Sequence, residues 1–244
     1  MKRGVKARWT RSSGSGTGTG PRDGTGATCA ADPSVAQPWP DQFPERSHAE
    51  SMTVDRAQVV EAARKAAVGG DWAEALVASY VWGHGRRGYG PHRLRAILAE
   101  PNLVDALARA DAALRAEGAM EAYGVLSGAV KGLGPAFFTK FLYFLSLATD
   151  PPGPPRALIL DQRVARVMRA HATRVGLDAG LTFAPDIAAW IWSDGRWTAH
   201  RYDVYLRWMN AAAERLALSD IGWPASSPDL LELAMFTGVW DPAA

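Results

Sequence analysis

Three features of this 244-residue chain are of the types that can act together on a substrate: an acid, Asp161, an amine, Lys140, and the glycine turn Lys131-Gly132-Leu133-Gly134. Asp161 follows the apolar run Leu158-Ile159-Leu160 and precedes Gln162-Arg163-Val164. A carboxylate in apolar surroundings can stabilise positive charge that grows on a substrate, or take a proton from a nucleophile. Gly132 and Gly134 take positive φ without steric cost, and Pro135 has its φ preset for the first position of a helix. Two helices would then meet at a tight glycine hairpin. Its free N–H groups at Gly132, Leu133 and Gly134, with the positive end of the second helix dipole, suit a phosphate oxygen. Plainer readings stand beside these, because glycines also end helices and Asp is a favoured N-cap.

The order Gly132-Leu133-Gly134-Pro135, then Leu158-Ile159-Leu160-Asp161 and Val164, resembles the helix-hairpin-helix DNA glycosylases of the endonuclease III superfamily. The run Gly134-Pro135-Ala136-Phe137-Phe138-Thr139-Lys140-Phe141-Leu142 is most similar to a bacterial group with the 8-oxoguanine glycosylase fold. The resemblance is close over roughly residues 120 to 170 and looser on either side. It implies an all-α fold of two helical lobes with a cleft between them, double-stranded DNA with a damaged or modified base as partner, and excision of a flipped-out base. It also implies a monovalent cation at the hairpin when DNA is bound; no other cofactor and no metal site is expected. Bifunctional members keep a nucleophilic lysine two residues after the second hairpin glycine, where this chain has Ala136. Water is therefore the simpler nucleophile, which gives a monofunctional enzyme. Lys140, one turn further along on the same side and edging the apolar face, is the candidate for Schiff-base chemistry. By resemblance the base is 8-oxoguanine. No motif reads that base, and a hypermodified base such as those of some phage genomes fits equally well, which would make the protein one of antiviral defence.

These residues need a scaffold, and composition says which kind. Hydrophobic residues make up 48% of the chain, enough for one sizeable domain. Ala, Leu and Arg dominate after residue 52 and strand-type alternation is scarce, so the fold class is all-α. Residues 1–51 are rich in Gly, Ser, Thr and Pro and read as a disordered basic arm, leaving 52–244 as the helical domain. Within it the helix-hairpin-helix occupies about residues 120 to 148 and the Asp loop about 149 to 163. Net charge is only +2; residues 1–51 hold seven Lys/Arg against five Asp/Glu, and the remainder is balanced at twenty each. DNA binding must then rest on a local basic face. The single cysteine, Cys29, excludes an internal disulfide and a cysteine-ligated iron–sulfur cluster. No run of 18 apolar residues and no signal-peptide centre is present, so the expectation is a cytoplasmic, nucleoid-associated monomer without a membrane partner.

Apolar spacing predicts helices over 54–68, from 72 after Asp71, over 93–100 and 102–117, around the hairpin, after Pro185, after Thr198 as N-cap, and from Ser227-Pro228. The Gly/Arg/His-rich stretch Trp82 to Arg93 reads either as a DNA-contacting loop carrying Arg86 and Arg87 or as a long capping turn. Arg163 at the start of the Asp161 helix reads as a DNA-facing residue or as part of a solvated face. The aromatic-dense last third offers Trp190, Tyr202 and Tyr205 as walls of a base pocket, against the alternative that each is core. From a different class, a non-catalytic helix-hairpin-helix DNA-binding protein has the same hairpin without a reacting acid.

Overall fold

The computed structural model describes residues 54–84, 89–150, 155–220, 223–224 and 227–239. The basic arm over 1–51 and the arginines Arg86 and Arg87 lie outside the described residues. Ten helices follow one another among those described: α1 (Arg56–Gly69), α2 (Trp72–His84), α3 (Gly90–Leu98), α4 (Leu103–Ala116), α5 (Ala119–Leu126), α6 (Pro135–Thr149), α7 (Gln162–Asp178), α8 (Ala184–Ile191), α9 (Ala199–Ala217) and α10 (Pro228–Thr237). The described residues contain no strand, as the composition requires.

Local chemistry accounts for most of the boundaries. Asp55 and Gln58 close a capping box on α1, and Gly70 ends it in the left-handed conformation. The Thr198 hydroxyl accepts from the Arg201 N–H, as expected of an N-cap. Helix α3 starts at Gly90, earlier than apolar spacing alone indicates, because Pro91 stands in its first turn, where its missing N–H costs nothing.

Helix α6 is the centre of the molecule. Every residue from Phe138 to Ser146 is buried, so the helix is covered around its whole circumference, with Thr139, Lys140 and Ser146 as its buried polar side chains. It packs against α1, α2, α4 and α5. Each fully buried Phe or Leu of such a helix contributes about 1.5–3 kcal/mol. Helix α9 lies on α5, and α10 lies on both α7 and α9. At the junction Tyr123 of α5 stacks on Tyr202 of α9 at 4.6 Å, and its hydroxyl donates to the Trp197 carbonyl at 2.7 Å. One apolar cluster runs through α1 to α7, α9 and α10. Among the described residues, no helix is long and apolar enough to cross a membrane.

Candidate active site

Ahead of α7, residues 157–160 run through the interior without regular structure. Ala157, Leu158, Ile159 and Leu160 are all buried, so their backbone polar groups need partners that no helix or sheet supplies. Side chains from three helices provide them. The Tyr202 hydroxyl accepts from Leu158 N–H at 3.1 Å and donates to Leu158 C=O at 2.7 Å. Tyr205 donates to Ile159 C=O at 2.8 Å, while Glu232 of α10 accepts from Ile159 N–H at 2.6 Å. Thr139 of α6 accepts from Leu160 N–H at 3.2 Å and donates to Pro135 C=O at 2.7 Å. The segment is thus clamped at each of the three residues before Asp161.

This corrects the reading of Tyr202 and Tyr205 as base-pocket walls. Both are fully buried with their hydroxyls committed to the 158–159 backbone, so neither offers a ring face to a ligand. Trp190 is 70% exposed on α8, where the Arg201 guanidinium lies 4.8 Å from its ring centre.

At the end of the clamped segment, Asp161 uses its two oxygens differently. Oδ1 accepts from the N–H groups of Arg163 and Val164, both at 3.0 Å, which makes Asp161 the N-cap of α7. Oδ2 faces Lys140 Nζ at 3.4 Å. The acid therefore caps the helix and still presents an oxygen to the amine. Lys140 also donates to the Ala136 carbonyl one turn back, at 2.8 Å. Only 7% of the lysine side chain and 13% of the aspartate side chain is accessible, so little water screens the pair.

Gly83 of α2 makes room for the lysine stem. A Cβ there would lie 2.3 Å from Lys140 Cδ and 2.6 Å from Cε. Beside it, Phe137 stacks on Tyr80 at 4.2 Å with the His84 ring nearly parallel at 6.2 Å, and Lys140 Nζ lies 5.9 Å from the Phe137 ring centre. The Phe137 ring thus lies beside the amine, and base-pocket reasoning from the sequence passed over it because a stripe of Phe at helical spacing reads as core.

Glu232 also went unread. Its one sequence signal is a single acid inside the apolar run Leu230-Leu231-Glu232-Leu233-Ala234-Met235. Burial pushes its carboxyl up to about 8, against the lowering effects of the Ile159 N–H, Lys140 and Arg56, with the Asp161 charge raising it further.

The hairpin is looser than a tight glycine turn, since residues 127–134 separate α5 from α6. Gly132 has φ +82°. Leu133 is buried and its N–H donates to Val130 C=O at 3.2 Å, so the expectation of a free N–H at Leu133 is corrected. Gly134 is the N-cap of α6 and is extended, with no side-chain cap bond. Among the described residues, the Gly132 and Gly134 N–H groups donate to no backbone carbonyl. Lys131 beside them is exposed. Arg163 is exposed as well, with its guanidinium 4.9 Å from the Phe236 ring centre. Arg166 and Arg169, further along α7, are paired with Asp194.

Among the described residues the regular structure is all helical and a hairpin leads into one central helix, which is the arrangement of the helix-hairpin-helix glycosylase class. Residues 27–236 match the family described as "Putative 8-oxoguanine DNA glycosylase OGG-like protein", and the chain belongs to that family. No curated protein and no solved structure matches it.

Proposed function

We propose that the chain excises a damaged or modified base from double-stranded DNA, with Lys140 and Asp161 as the reacting pair. The observation that carries this is the 3.4 Å approach of Lys140 Nζ to Asp161 Oδ2 in surroundings that exclude most water. In this reading the Asp161 carboxylate takes a proton from the Lys140 ammonium and the free amine attacks C1′ of the deoxyribose. The N-glycosidic bond breaks, its electron pair leaves with the base, and the base takes up a proton. The proton that Asp161 took from Lys140 is the one the departing base receives, which returns the carboxylate to its charged form beside the positive charge growing on the sugar. Ring opening then gives a Schiff base to Lys140 and, by elimination, strand cleavage.

Ala136 at the family's lysine position favours water as nucleophile, and the 2.8 Å bond from Lys140 Nζ to Ala136 C=O supports a lysine that only holds the acid. Borohydride trapping on a lesion-containing duplex separates the two. The amine reading expects a covalent adduct that disappears in Lys140→Ala. An adduct that survives there excludes Lys140, and base release without any adduct assigns the attack to water.

The DNA backbone would be gripped by the Gly132 and Gly134 N–H groups and the N-terminus of α6, with Lys131 adjoining and Arg163 on the neighbouring helix. A monovalent cation at the hairpin carbonyls belongs to the same complex. Phe137 and His84, both partly exposed, offer the aromatic surface for the extruded base in place of the buried Tyr202 and Tyr205. Family membership supports an 8-oxoguanine-type substrate. A panel of duplexes carrying oxidised, alkylated, deaminated and hypermodified bases, read separately for free base and for abasic sites, tests it. Release confined to hypermodified bases assigns the protein to defence against phage, and DNA binding with no release from any duplex leaves a non-catalytic binding protein.

A further inference from the structure

Helix α10 brackets Asp161 from both sides. Glu232 accepts from Ile159 N–H at 2.6 Å, two residues before the acid, and Phe236, one turn further along the same helix, lies under the guanidinium of Arg163, two residues after it. The helix is itself tied to α1 through Arg56 and Asp229 at 3.2 Å. An amide or hydroxyl would suffice to accept from a buried N–H, yet this position carries an ionisable acid in the apolar interior.

We propose that Glu232 is a positioning residue for the reaction, setting the place of Asp161 against Lys140 through the Ile159 backbone. The proposal rests on the Lys140–Asp161 reading above. Burial holds Glu232 neutral near pH 7, so it accepts from Ile159 N–H without adding a second negative charge beside Asp161. The groups that act on it are Lys140 of α6, Asp161 itself, Arg56 of α1, and the hydroxyls of Tyr202 and Tyr205 on α9. Once ionised, Glu232 would place a second negative charge in the site, competing with Asp161 for Lys140. The position therefore sets both geometry and the alkaline limit of the reaction.

The test compares wild type with Glu232→Gln and Glu232→Leu in single-turnover base release against pH, with duplex Kd measured alongside. Gln keeps an acceptor for Ile159 N–H and cannot ionise. Its rate is expected within about threefold of wild type at pH 7 and without the wild-type fall above about pH 8. Leu removes the acceptor, and its rate is expected to drop more than about tenfold at unchanged duplex Kd. A Leu variant with wild-type rate, or a Gln variant whose alkaline fall matches wild type, overturns the proposal while the glycosylase reading stands. Should Leu fail to fold, the Gln profile alone decides. Wild-type protein that releases no base from any duplex overturns the parent reading, and this one with it.

Discussion

The stem of Lys140 runs across Gly83 of α2 so closely that one added methyl group at Gly83 would overlap Cδ and Cε. A glycine inside a helix costs roughly 1 kcal/mol relative to alanine, so its presence here marks a space that the lysine occupies.

Gly83→Ala is therefore a substitution that helix propensity favours and the site opposes. The methyl group must push the lysine side chain aside, because the α2 backbone is packed against α6. The expected outcome is a change in melting temperature of only a few degrees, with trapped adduct reduced by at least about tenfold. Wild-type trapping by the variant would mean that Lys140 reaches the sugar from another conformation.

Asp161 separates into two functions by substitution. Asn keeps an oxygen for the Arg163 and Val164 N–H groups, so Asp161→Asn is expected to hold stability within about 0.5 kcal/mol, whereas Asp161→Ala loses the cap at about 1 kcal/mol. Both lose the negative charge facing Lys140. Base release is expected to fall about 100- to 1000-fold in each, with DNA binding retained. Denaturant unfolding and single-turnover assays read the two effects independently, and undiminished release by the Asn variant would reduce Asp161 to a cap.

Much of this arrangement was legible because it is local in sequence. The Asp161 cap, the Thr198 cap and the helix-starting prolines each bond or pack within a few residues of themselves, and apolar spacing marked Lys140 as edging a buried face. The clamp on residues 158–160 was not legible, since Tyr202 and Tyr205 act 44 and 46 residues away and Glu232 acts 73 residues away. Aromatic density in the last third indicates large buried side chains without saying whether a ring faces a ligand or its hydroxyl serves a backbone. The same limit hid Phe137: its spacing belongs to the core stripe of α6, and its stacking on Tyr80 depends on where α2 lies.

Removing one clamp hydroxyl tests the buried segment directly. Tyr205→Phe leaves Ile159 C=O without its partner in an interior closed to water. The expected cost is about 1–3 kcal/mol of stability. Because the ring and its packing are retained, the loss reads the hydrogen bond itself. A change below about 0.3 kcal/mol in denaturant unfolding would mean that the carbonyl finds another donor.

Glu232 makes the stability of the fold depend on pH with a defined sign. Its carboxyl titrates near the ordinary value of 4.5 when unfolded and at about 8 when folded. Between those values the folded protein binds a proton that the unfolded chain has released, so raising the pH favours unfolding by up to about 1.4 kcal/mol per unit. The contribution is fully present below about pH 4.5, is lost as the pH rises towards 8, and is constant above that. Glu232→Gln cannot titrate, and its melting temperature is expected to rise steadily relative to wild type from pH 5 to pH 8. Melting curves of the two proteins that run parallel across this window would mean that Glu232 is already ionised in the fold, held by Lys140 and Arg56.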